Sequence, residues 1–159
     1  MPNRIETIKR RLTESRQRLN AVLDHVEERW ETPVYSEGAA WNIHQLAIHL
    51  ALSEKGLANQ AIGIAEGREV IPADFDLERY NRRSVEKRAH KAVEEIREDL
   101  VTARQDLLAW LDGIDDEAVL DRSGRHASLR IMTAGEILLE MADHEMMHAN
   151  DIALVLGID

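Results

Sequence analysis

The sequence predicts an all-α protein, a four-helix bundle. Three observations carry that prediction. Four long segments repeat their apolar residues at steps of three and four, the period of a helix with one buried face. Two helix starts carry capping-box residues, at Asn42/Gln45 and Thr133/Glu136. Only 3 prolines and 8 glycines occur in 159 residues, and the charged fraction is 31%. The remainder is rich in Ala, Leu, Glu and Arg, the better helix formers.

The first helix is expected from about Asn3 to Trp30, because Ile5, Ile8, Leu12, Leu19, Val22, Leu23, Val26 and Trp30 form one stripe. His25 falls off it and is expected to be exposed. Pro33 and the stretch through Gly38 end the element. The second helix starts at the Asn42 cap and runs to about Glu66, with Gly67 as its stop. Leu46, His49, Leu50, Ser53, Leu57, Ala61 and Ile64 make its inner face, and His44 points about 140° away from His49 by the helical period.

A connection containing Pro72 leads to a helical segment from about Asp76, with a bend expected at His90. From Ala92 to Leu111 the stripe is Val93, Ile96, Leu100, Ala103, Leu107, Trp110 and Leu111. Residues 112–132 form the longest connection. There, Asp115 to Leu120 could make one turn, Gly124 reads as a turn, Ser128 to Ile131 as extended, and His126 as an exposed residue. A connection of this length is often functional. The last helix opens at Thr133 and runs to about Leu156, with Gly157 as its stop. Its inner face carries Ile137, Leu138, Met141, His144, His148, Ile152 and Val155. Four helices in a chain of this length argue for a single domain spanning residues 1–159.

Composition narrows the function classes. Net charge is −10, so nucleic acid is not an expected partner. No apolar run approaches the roughly 20 residues of a membrane span. The opening Met1-Pro2-Asn3-Arg4 has no apolar core of a signal peptide, so a cytoplasmic protein is expected. There is no cysteine, which excludes disulfides, thiolate metal ligands and a cysteine nucleophile. Arginines gather at Arg79, Arg82, Arg83 and Arg88, and again at Arg122, Arg125 and Arg130. They read as solvated faces or as an anion-holding rim.

Of the 7 histidines, His49, His144 and His148 fall on core-facing stripes. A buried polar group without a partner costs on the order of 1–3 kcal/mol, and an interior of Leu, Ile, Val and Met offers few partners. One shared metal ion would satisfy all three imidazoles. Three hydrogen-bonded core histidines are the alternative.

His144-Glu145-Met146-Met147-His148 also matches the His-Glu-x-x-His signature of zinc peptidases, in which the glutamate is a general base. The chain then continues Ala149-Asn150-Asp151 with no later histidine, so the extended peptidase form is absent. His49 is the best-placed third ligand, and three protein ligands leave a position open. Glu145 lies about 100° round the helix from His144. It is either a base for a hydrolytic reaction or a partner for an arginine. Asp151, one turn past His148, is a candidate to orient a ligand from behind.

Two segments carry a family resemblance. Trp41-Asn42-Ile43-His44-Gln45-Leu46-Ala47-Ile48-His49-Leu50 and His144-Glu145-Met146-Met147-His148 resemble, in order and separation, motifs of the DinB/YfiT-like superfamily. Phe75-Asp76-Leu77-Glu78-Arg79-Tyr80-Asn81 is similar to a segment of the branch that includes mycothiol-dependent maleylpyruvate isomerases. The resemblance covers nearly the whole chain. It implies a four-helix bundle with a long crossover connection and a divalent metal, usually zinc or nickel. The metal ligands would match His49, His144 and His148.

The resemblance also implies a cofactor, since characterised members include S-transferases and isomerases that use low-molecular-weight thiols. It further implies a small-molecule substrate and a homodimer. The alternatives are a metal-dependent hydrolase using Glu145 as base and a non-enzymatic metal- or ligand-binding stress protein. A chain without cysteine suits a borrowed thiol, and Arg125 or Arg130 could hold that thiol's carboxylate. Many members follow the last histidine with Arg-Gly-Gln, where this chain has Ala149-Asn150-Asp151.

Overall fold

The computed structural model describes residues 3–159. Its helices are α1 Arg4–Leu23, α2 Ile43–Ala65, α3 Leu77–Lys87, α4 Val93–Asp112 and α5 Ala134–Leu156. A 3-10 turn spans Glu117–Asp121, and two short strands follow, β1 Ser123–Arg125 and β2 Ile131–Thr133. The architecture is all-α, with α1, α2, α4 and α5 forming the bundle.

Capping fixes the starts of the helices. Asn3, Asn42, Asp76 and Thr133 each accept a hydrogen bond from the backbone N–H three residues on. At Asn42 and Thr133 the cap's own backbone N–H donates in return to the side-chain oxygen of Gln45 or Glu136, which completes the box. Gly157 ends α5 in the left-handed region at φ 72°, which glycine adopts without a Cβ penalty.

The core shows how the helices run. Ile8 and Leu12 of α1 cluster with Ile137, Leu138 and Met141 near the start of α5, and with Ala61, Ile64, Leu107 and Leu111 near the ends of α2 and α4. Leu19, Val22 and Leu23 cluster with Ile43, Leu46, Leu50, Leu100, Ile152 and Leu156. Thus α1 and α5 run together, opposite to α2 and α4. Parallel α2 and α4 pack on each other, so the chain between them must return along the bundle, and α3 lies in that crossover. Helix α5 packs against both α1 and α2, which places the first and last helices side by side.

Val155, expected on the inward face of α5, is exposed, and three further sequence expectations need correction. First, α1 stops at Leu23 rather than near Trp30. Val26 is fully buried and Trp30 packs on the core, so the apolar period continues although the helix does not. The chain turns through Glu27 at φ 56°, and the Trp30 carbonyl accepts from His44 N–H at the start of α2.

Second, Gly124 is not a turn. It sits in β1 opposite Met132, over Ile64, where an added Cβ would come 2.7 Å from Ile64 Cγ1. The bend falls instead at residues 126–130, with Leu129 at φ 72° and its N–H bonded to the His126 carbonyl at 2.8 Å, so Ser128 to Ile131 is not one extended run. Third, His126 is buried rather than exposed. The single turn expected near residues 115–120 is present as the 3-10 turn, which buries Leu120 completely.

Between the two main apolar clusters lies a charged layer. Arg16 of α1, Glu54 of α2, Arg104 of α4 and Glu145 of α5 are all buried, with Ser15 beside them. Arg16 reaches Glu54 and Glu145, each at 2.9 Å. Arg104 reaches Glu54 at 2.9 Å and Glu145 at 3.4 Å. Two cations face two carboxylates, so the formal charge cancels within the layer.

Candidate metal centre

His49 projects from α2, and His144 and His148 from one row of α5, so the contact between these helices brings the three imidazoles together. Each presents Nε2. His49 Nε2 lies 3.4 Å from His144 Nε2, which lies 3.0 Å from His148 Nε2. The ligand atoms of all three fall within 4.8 Å of one another. Nitrogens bound at about 2.0–2.1 Å to one tetrahedral ion would sit roughly 3.3 Å apart. The trio therefore has the spacing to hold one divalent ion.

The surroundings fix the rings. Trp41 lies against His49 with ring centroids 4.6 Å apart. Tyr35 Oη is 2.7 Å from His148 Nδ1 and donates to Asp151 Oδ2 at 2.5 Å. The phenol's hydrogen goes to Asp151, so Nδ1 carries the hydrogen it donates to Tyr35. That leaves Nε2 of His148 as a bare acceptor facing the other two histidines. Asp151 thus acts on His148 through Tyr35, a residue the sequence reading passed over inside the loop that ends α1. Burial raises the Tyr35 pKa, and the hydrogen bond to Asp151 and its charge raise it further, so the phenol keeps its proton.

Replacing Tyr35 with Phe removes this support without moving a ligand. We expect metal affinity to fall about tenfold in Tyr35→Phe, measured by competition with a chromophoric chelator. An unchanged affinity would show that the phenol does not orient His148.

Burial pushes the His49 pKa down to about 3, assisted by repulsion from His144. His148 is pushed down to about 3 by burial and by the two neighbouring histidines. His144 is lowered by burial, with Glu140 and Glu145 opposing that shift. All three are neutral at physiological pH, the state a metal ligand requires.

Because the folded pKa values lie below the unfolded value near 6.5, the unfolded chain binds more protons in between. The stability of the metal-free protein is therefore present above about pH 6.5 and is lost as pH falls toward 3. Urea midpoints measured at intervals from pH 7.5 to 4 check this. A flat profile in wild type, or an equal slope in His49→Gln/His148→Gln, would refute the assignment.

The other candidate residues lie elsewhere. Glu145 turns into the charged layer. Ser15 Oγ donates to it at 2.7 Å, and Arg16 and Arg104 bind its carboxylate. Arg125 is held by Glu69 at 3.1 Å and by the Ile71 carbonyl at 3.2 Å. Arg130 pairs with Glu140 of α5 at 3.1 Å, one turn before His144.

The chain matches the DinB superfamily over residues 11–152. It belongs to that superfamily. The match takes in all three histidines and nearly all of the bundle. No curated protein and no solved structure shows significant similarity to the chain. Among the described residues of this DinB protein, no helix is long and apolar enough to cross a membrane.

Proposed function

We propose that this protein is a metal-dependent enzyme that activates a low-molecular-weight thiol for S-transfer or isomerisation of a small molecule. The metal, zinc or nickel, would be held by His49, His144 and His148. The observation that carries the reading is the convergence of three Nε2 atoms from two helices, with no fourth ligand in the group among the described residues. Three protein ligands leave room for an exogenous one. A divalent ion there supplies a local positive charge that lowers the pKa of a bound thiol. The chain contributes ligand orientation through Tyr35 and Asp151, and a dry wall through Trp41.

The alternative hydrolase would need Glu145 as a general base. Its engagement by Ser15, Arg16 and Arg104 weighs against that role, because a base must reach the proton it removes. Of the two loop arginines, Arg130 is the better candidate for a thiol carboxylate: its side chain is 64% exposed, and it borders the turn before His144. A homodimer in the cytoplasm is the expected working form. The exposed apolar Met147 and Leu154 on α5 support pairing, which sedimentation analysis would test.

Cobalt-loaded protein tests the thiol reading directly. A thiolate on the ion adds a charge-transfer band in the near ultraviolet. Appearance of that band with small thiols, followed by turnover with electrophiles, is the expected result. If no thiol perturbs the spectrum, the thiol role falls while the metal site stands.

A further inference from the structure

One polar pair beside the histidine trio leaves a buried oxygen unmatched. Glu140 stands four residues before His144 on α5, so the two share a row and their Cα atoms are about 6 Å apart along the helix. Among the described residues, Glu140 Oε2 is the buried side-chain polar atom with no hydrogen-bond partner. Facing it at 3.8 Å is Nε2 of His126, carried on the hairpin turn between β1 and β2. That distance is too long for a direct hydrogen bond.

The hairpin is built to hold His126 there. Ser128 N–H donates to His126 Nδ1 at 3.0 Å, which makes Nδ1 the acceptor and Nε2 the N–H. Ala127 N–H donates to Gln60 Oε1 of α2 at 3.0 Å, and Arg130 holds the other Glu140 oxygen at 3.1 Å. The turn is therefore tied to both helices that carry the metal ligands. His144 lies close enough to feel the charge of Glu140.

A fixed N–H and a fixed carboxylate oxygen, just too far apart to satisfy each other, select a third group. An ammonium would set its own N–H against the His126 N–H. A carboxylate would set its charge against Glu140. A hydroxyl accepts from one and donates to the other. We propose that His126 and Glu140 form a hydroxyl-binding subsite for the molecule that occupies the open metal position, about one helical turn from the ion. This rests on the metal-centred reading above and adds the ligand class: a metal-binding head group with a hydroxyl a few bonds away. A site built to bond a hydroxyl discriminates strongly against the same molecule without it, because the buried groups are then left unpaired.

The test compares 3-mercaptopropan-1-ol with butane-1-thiol, which replaces the hydroxyl by a methyl group. Affinities are read from the charge-transfer band of cobalt-loaded protein. Wild type is expected to bind the hydroxythiol at least tenfold more tightly. His126→Phe and Glu140→Leu should each bring the ratio near one, with metal content unchanged. Glu140→Ala and His126→Ala serve if either of the first two fails to fold.

Equal binding of the two thiols by wild type overturns the subsite, as does a preference that survives both substitutions; water alone then fills the gap. Absence of metal uptake instead removes the metal reading, and this proposal with it. If metal binds but neither thiol does, the thiol reading falls, and the subsite is judged by the same comparison between 4-hydroxybutanohydroxamate and pentanohydroxamate, which bind divalent ions without a thiol.

Discussion

Natively purified protein is expected to contain about one equivalent of zinc or nickel, and the His49→Ala/His148→Ala variant none. The double substitution removes one ligand from α2 and one from α5, leaving His144 alone, and a single imidazole does not retain a divalent ion through purification. The lost ion should also appear as lost stability. An ion present at about a thousandfold above its Kd stabilises the fold by about 4 kcal/mol. In a domain of this size, that corresponds to a fall in Tm of roughly 10 °C on treatment with a chelator. Elemental analysis with a thermal melt before and after chelation reads both effects. Protein that arrives without metal and takes up none on titration would leave the trio as hydrogen-bonded core histidines.

The second large effect concerns Glu145. Replacing it with alanine should cost about 3–5 kcal/mol of folding stability, because a buried pair broken on one side leaves an uncompensated charge. Here Arg16 and Arg104 would face Glu54 alone, in a layer where every charged side chain is at most 10% exposed. Urea unfolding of Glu145→Ala against wild type measures the loss. Glu145→Gln should lose less, and metal content should survive in both if they fold. A loss below about 1 kcal/mol would mean that water reaches the layer and screens it. A Glu145→Gln variant of normal stability, with metal bound and turnover abolished, would return the glutamate to a catalytic role.

The same residue shows where sequence reasoning reached its limit. His-Glu-x-x-His fixes that His144 and His148 share a helix row and that Glu145 does not. It cannot say which neighbour Glu145 meets. A signal was nonetheless present in the helix period. Arg16 follows Leu12, Glu54 follows Leu50, Arg104 follows Leu100 and Glu145 follows Met141, each by four, so one charged residue occupies an inward position on every bundle helix. Two of each sign in one layer is a pattern the sequence contains. Its pairing is visible only when the helices are assembled.

Local chemistry sufficed where the determining interactions span a few residues. The capping boxes at Asn42 and Thr133, the stop at Gly157 and the inward placement of His49 and His148 follow from contacts within about one turn, so the chain itself specifies them. Tertiary structure decided what depends on distant partners. It ended α1 at Leu23 although the apolar stripe runs on, with Val26 buried and Trp30 partly buried from an irregular segment. It brought Tyr35 to His148 across 113 positions of sequence and sank His126 beside Glu140. Such contacts form when the bundle closes, and no local periodicity records them.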